Sequence, residues 1–144
     1  MQSVPSMTSL VVTSTGSIIA RVFRLVTDGR RADQVRKTMS DLFLETDLEL
    51  IASVACECVA IMESTTHTSV KVALAHLDNS VRVLDETLRE LEATLAQHDA
   101  KWFSSWRALA SDVPLCSVVQ AKANVDHHFE RLVQVLGLMK SEQT

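Results

Sequence analysis

The clearest pattern in the chain is a run of apolar residues at alternating steps of four and three. Val70, Leu74, Leu77, Val81, Leu84, Leu88, Leu91 and Leu95 form one unbroken helical seam. That spacing predicts a long amphipathic helix over 70–95, with these eight residues in the core. The two flanks of the seam differ. Asp78, Asp85 and Glu92 follow the core positions at 77, 84 and 91, whereas Ala73, Ser80, Thr87 and Thr94 precede those at 74, 81, 88 and 95. A two-stranded coiled coil wants complementary charges on both flanks. One flank here is small and neutral, so another helix can approach closely, which favours packing within a bundle over a free zipper.

Three further helical regions follow from the same reading. Between Pro5 and Val26, Met7, Leu10, Val11, Ser14, Ile18, Val22 and Leu25 recur at three- and four-residue steps. Val11, Val12, Thr13, Thr15 and Gly16 make its first half a weak helix former. "TDGRR" from Thr27 is a stop signal. Asp33 to Glu63 is the second region, with Asp41, Glu45, Glu49, Ser53 and Glu57 as a polar stripe. Within it, "LELIASVACECVAIM" (Leu48 to Met62) is a fifteen-residue run with two charges. It is shorter than the roughly 20 apolar residues of a membrane-spanning helix, and reads as a central helix packed on several sides. Thr46-x-x-Glu49 matches a capping box, placing a break near Asp47. "STTHTS" is a loop. After it and the long seam, "QHDAKWFSSWRALASDVP" is a connection with a short helix over 100–109. Asp112 and Pro114 then open a last helix that runs to about Met139. Val118, Val125, Phe129, Leu132, Val135, Leu136 and Met139 give that helix an apolar face.

The expected fold is one all-α domain over 1–144, an antiparallel four-helix bundle with a short extra helix before the last. Residues 1–27 form an apolar helix with a basic end, 28–140 hold the bundle core, and 141–144 are a polar tail. The 144 residues, 47% hydrophobic and 22% charged, suffice for a core and exclude a disordered chain.

Charge alters the functional picture more than composition does. The net charge of -4 hides an acidic middle: residues 38–100 carry -9, between +4 over 1–37 and +1 over 101–144. The acidic middle argues against nucleic acid, which wants a basic stripe. The basic N-terminal segment keeps an acidic partner or an anionic membrane open. The first twenty residues lack the pattern of a secretory signal. Residues 1–27, with no Asp or Glu, five Ser and four Thr, are partly like a mitochondrial transit peptide, although their arginines come late, and an organelle-imported bundle is a third option. Three cysteines, an odd number, fit free thiols in a reducing compartment, hence the cytoplasm, with recruitment to a membrane as an extension.

Candidate chemistry is sparse. Cys56 and Cys58 project about 200° apart on a helix, and no CxxC, HExxH or ExxH spacing occurs, so the cysteines are expected in the core. His127 and His128 diverge by about 100°, one expected exposed and one partly buried. No nucleophile elbow or glycine-rich phosphate loop is present. No catalytic residue, cofactor or metal is assigned. The alternative is a small helical enzyme or metal-binding protein using Cys56, Cys58, Cys116, His127 or His128. Trp102, Phe103 and Trp106 either plug one end of the bundle or anchor a partner or interface.

The order of parts, an apolar N-terminal helix, a buried helix, the long "LAHLDNSVRVLDETLRELEATL" helix, the connection "AKWFSSW" and the closing "NVDHHFERLVQVLGL", resembles the N-terminal helical bundles of MLKL-like and HeLo-type cell-death executioners and their fungal immune-receptor relatives. The resemblance rests on helix order and hydrophobic spacing over most of the chain. It implies an all-α bundle that self-associates and then disturbs membranes through roughly residues 7–26. The leading expectation for the chain is a non-enzymatic helical interaction module that self-associates or binds another helix, with that membrane engagement as an extension. Arg21, Arg24, Arg30, Arg31, Arg36 and Lys37 would then meet anionic lipid. The acidic third helix departs from that expectation and confines lipid contact to one end. The interaction residues named by this reading are Ile18, Arg21, Val22, Arg24, Arg30, Arg31, Trp102, Phe103 and Trp106.

Overall fold

The computed structural model describes residues 7–27, 33–42, 44–64, 68–99 and 112–143, and these are all-helical apart from a turn at Leu42. Five helices follow in order: α1 (Met7–Thr27), α2 (Asp33–Asp41), α3 (Leu44–Ser64), α4 (Thr68–Asp99) and α5 (Asp112–Gln143). The short extra helix expected over 100–109 lies outside the described residues, as do Arg30, Arg31, Trp102, Phe103 and Trp106.

The long seam is fully realised. Val70, Leu74, Leu77, Val81, Leu84, Leu88 and Leu91 lose all contact with solvent, and Leu95 nearly all. Each buried side chain of this size contributes about 1.5–3 kcal/mol relative to exposure. α4 packs most extensively on α5, and also on α1 and α3. α5 supplies Leu115, Val118, Ala121, Val125, Leu132 and Met139, with Phe129, Val135 and Leu136 packed at the core's edge. α1 contributes Ile18, Val22 and Leu25 and packs on α2, α3 and α4.

Three expectations need correction. The region 33–64 does break into two helices, but around residues 42–43 rather than near Asp47; the Leu42 amide still donates to the Thr38 carbonyl at 3.1 Å, closing α2. α1 is helical from Met7, so its β-branched, glycine-containing first half does not delay it. α3 is not enclosed on several sides. It buries Leu44, Leu48, Ile51, Ala55 and Cys58, yet exposes Leu50, Ser53, Cys56, Glu57 and Ala60. The physical reason is that these exposed positions lie about 80° to 180° around the helix from the buried ones, so the solvent face is wider than its polar stripe.

Candidate functional site

The two unequal flanks of α4 receive different neighbours. Its acidic flank faces α1. Arg21 donates through Nη1 to Glu92 Oε1 at 2.8 Å and through Nε to Asp85 Oδ1 at 3.3 Å, and its Nη2 reaches Ser17 Oγ at 3.3 Å. Arg24 adds bonds to Glu92 Oε2 at 3.3 and 3.4 Å, and Arg89 pairs with Asp85 at 3.1 Å. Arg21 and Asp85 are largely withdrawn from solvent, where a forked guanidinium serving two carboxylates is strongest. Asp78, one heptad before Asp85, has no such partner. Its buried Oδ1 is unbonded, and burial raises its carboxyl above the usual range despite the opposing charge of Arg82.

The small flank faces α5. Ser80 is buried, with its hydroxyl donated to the Leu77 carbonyl at 2.7 Å, and Thr87 does the same to Leu84 at 2.8 Å. With their hydroxyls satisfied inside α4, these residues present small apolar surface. An open groove of about 530 Å³ lies here, lined by Val83 and Thr87 of α4 and Cys116, Ser117, Gln120, Ala121 and Asn124 of α5.

Farther along the same helix pair, three imidazoles meet. His76 of α4 lies 5.6 Å, centroid to centroid, from His128 of α5, and His128 lies 5.2 Å from His127. His127 is exposed and His128 half-buried. Burial, then the nearby His127, His76 and Arg131, hold the His128 imidazole below its usual value. The sequence reading missed His76 as their neighbour, because the contact joins residues on different helices.

On the opposite side of α5, Lys122 is almost fully buried and bonds Asp47 of α3 and Asp126 of its own helix. Nothing in the local sequence marks it, since Lys122–Asp126 is an ordinary i, i+4 pair.

The cysteines also require correction. Only Cys58 is buried; Cys56 and Cys116 are exposed. Cys56 sits on the broad solvent face of α3, and Cys116 on the open rim of the α4–α5 groove. Among the described residues, no three His, Cys, Asp or Glu side chains are placed to hold a metal ion, and no helix is long and apolar enough to cross a membrane.

Of the interaction residues read from the sequence, Ile18 and Val22 are spent inside the core, and Arg21 and Arg24 are engaged by α4. The surface apolar residue of this region is Phe23, 65% exposed. It lies off the 18–22–25 stripe by more than a third of a turn, a signal present in the helical wheel. Phe23 lines a cleft of about 240 Å³ with Ile19, Val22 and Val26 of α1, Met39 and Ser40 of α2, and Leu44 and Thr46 of α3. Comparison of the chain with protein-family models, curated protein sequences and solved structures finds no match.

Proposed function

We propose that the chain is a non-enzymatic helical interaction module, an antiparallel four-helix bundle whose second limb is α2 and α3 together. Two sets of contacts support this course. Arg21 meets Asp85 and Glu92, while Arg24, one turn later, meets Glu92 alone, as expected if α1 and α4 run the same way. His76 meets His128 while the later Val83 and Thr87 meet the earlier 116–124, as expected if α4 and α5 run oppositely.

The observation that carries the functional reading is the outer face of α1. Gly16, Ala20, Phe23 and Thr27 recur at helical spacing and all are exposed, and none is charged. A surface helix ordinarily turns charged residues to water. Here the centre of the face is an aromatic ring beside a cleft, and a side chain added at Gly16 would meet nothing within 4 Å. A partner helix, or a second copy of the chain, can approach closely at Gly16 and Ala20 and cover Phe23. At this face protein contact is favoured over lipid because Arg21 and Arg24, the two α1 residues among the six cations that would meet anionic headgroups, bond to Asp85 and Glu92.

The test is photo-cross-linking in the native cell, with benzoylphenylalanine at position 23 and, as a control, at the exposed Glu90 of α4. Discrete protein adducts from position 23 but not from 90 are expected. Equal labelling at both sites sinks the reading. Absence of adducts together with leakage of anionic liposomes would move the function to the membrane.

A further inference from the structure

The face between α3 and α5 is a different surface from the outer side of α1 and stands or falls separately. α3 contains no Lys or Arg. Leu50 and Glu57, seven residues apart, lie on one line of α3, and both are exposed. Val54 and Ile61 lie just inside that line, half-buried. On α5, Val119, Asp126 and Val133 form a matching exposed line at heptad spacing, with Phe129 and Leu136 half-buried inside it. The Lys122 ammonium, bonded to Asp47 and Asp126, ties the two lines together at one level. Leu50, one turn beyond Asp47, and Asp126, one turn beyond Lys122, therefore open to the same side.

Two properties set this face apart. Its apolar residues are uncovered: Leu50 is 56% exposed, Val133 46% and Val119 42%. α3 and α5 are also not among the closely packed helix pairs. Among its described side chains, the charge open to solvent is of one sign. Asp47, Glu57, Asp126 and Glu130 border the apolar line, and the cation among them, Lys122, is already engaged and hidden from solvent. Such a surface repels nucleic acid and anionic lipid, and its apolar centre leaves a merely polar partner unrewarded.

We propose that the α3–α5 face docks a basic amphipathic helix of a partner protein, its apolar side on Leu50, Val54 and Val133 and its Lys or Arg residues against Glu57, Asp126 and Glu130. The binding mode is an amphipathic helix laid along an apolar stripe. The apolar stripe supplies the affinity, and the carboxylate rim sets the sign of the partner and its rate of encounter.

The experiment uses the full chain and a short fluorescent helical peptide of leucine and lysine, leucines on one face, read by anisotropy. A peptide with glutamate in place of every lysine is the first control. Saturable binding of the lysine peptide alone is expected. Leu50→Ser with Val133→Ser, and separately Glu57→Lys with Glu130→Lys, should each weaken it by about tenfold or more. All four residues are exposed or at the rim, and thermal melting confirms that each variant folds. Glu86→Lys with Glu90→Lys on exposed α4 positions should leave binding within about twofold, as expected for charges outside the contact. No binding by the parent chain overturns the proposal. So does an equal loss in the α4 variant, which would mean unspecific charge attraction. A dimer in sedimentation that Leu50→Ser dissociates gives the face to a second copy and likewise overturns it.

Discussion

Lys122 of α5 donates to Asp47 of α3 at 2.8 Å from a side chain only 5% exposed, whereas Asp47 keeps 42% of its own exposure. The two ends of this bond therefore respond differently to mutation. Lys122→Met frees two carboxylates that can rehydrate, and should change stability by no more than about 1 kcal/mol. Asp47→Asn with Asp126→Asn strands a buried ammonium and should cost about 3 kcal/mol. Urea unfolding of both variants measures this, and the reverse order would refute the asymmetry.

The same lysine sets an alkaline limit. Burial opposes its charge, but the bonds and charges of Asp126 and Asp47 together outweigh burial and raise the ammonium above its ordinary 10.5. A cation favoured in the folded state contributes stability that is complete below about pH 10.5 and is lost as pH rises through the higher folded value. Melting temperature should fall above that pH in the parent chain, and less steeply in Lys122→Met.

At the acid side His128 acts. His128 is held below its ordinary 6.5, so the neutral ring is favoured in the fold. Its contribution is present above about pH 6.5 and is lost as pH falls through the lower folded value. The melting temperature should drop between about pH 7 and 5, and His76→Asn with His128→Asn should flatten that drop. An unchanged slope in the double variant would remove the histidines from the account.

Arg21 ties α1 to the acidic flank of α4. Arg21→Met should destabilise by about 2 kcal/mol, because the largely buried Asp85 loses a charge-assisted bond. Arg21→Lys should recover only part of it, since an ammonium lacks the fork that reaches Asp85 and Glu92 together. A double-mutant cycle with Glu92→Gln reads the coupling.

The thiols should separate cleanly. Burial first, then the charge of Glu57, pushes the Cys58 thiol up to about 11. Reagents for free thiols should label Cys56 and Cys116 in the native protein, and Cys58 only on unfolding. Native labelling of three thiols would contradict the burial of Cys58.

The long seam of α4 was readable directly, because eight apolar residues at helical spacing can share only one face and that face must be buried. Leu84, midway along the seam, is fully buried. Leu84→Asp should abolish the cooperative melt by placing an unpaired charge in the core, and an unchanged melt would undo the assignment. The start of α5 at Asp112 and the end of α1 at Thr27 were equally readable, since capping and turn chemistry is local.

Whatever depends on one helix meeting another was hidden. A narrow polar stripe in an apolar run gave α3 the look of a central helix, yet its neighbours leave Leu50 and Cys56 in water. Cys56 and Cys116 have the same chemistry as Cys58, and only the sides from which other helices approach separate them. His76 stands 52 positions from His128, and Asp47 stands 75 from Lys122. Periodicity within a helix fixes which residues share a face, because 3.6 residues per turn is a property of the local backbone. Which face meets which neighbour, and which apolar face is left uncovered, depends on the packing of five helices at once, and no stretch of local sequence carries that information.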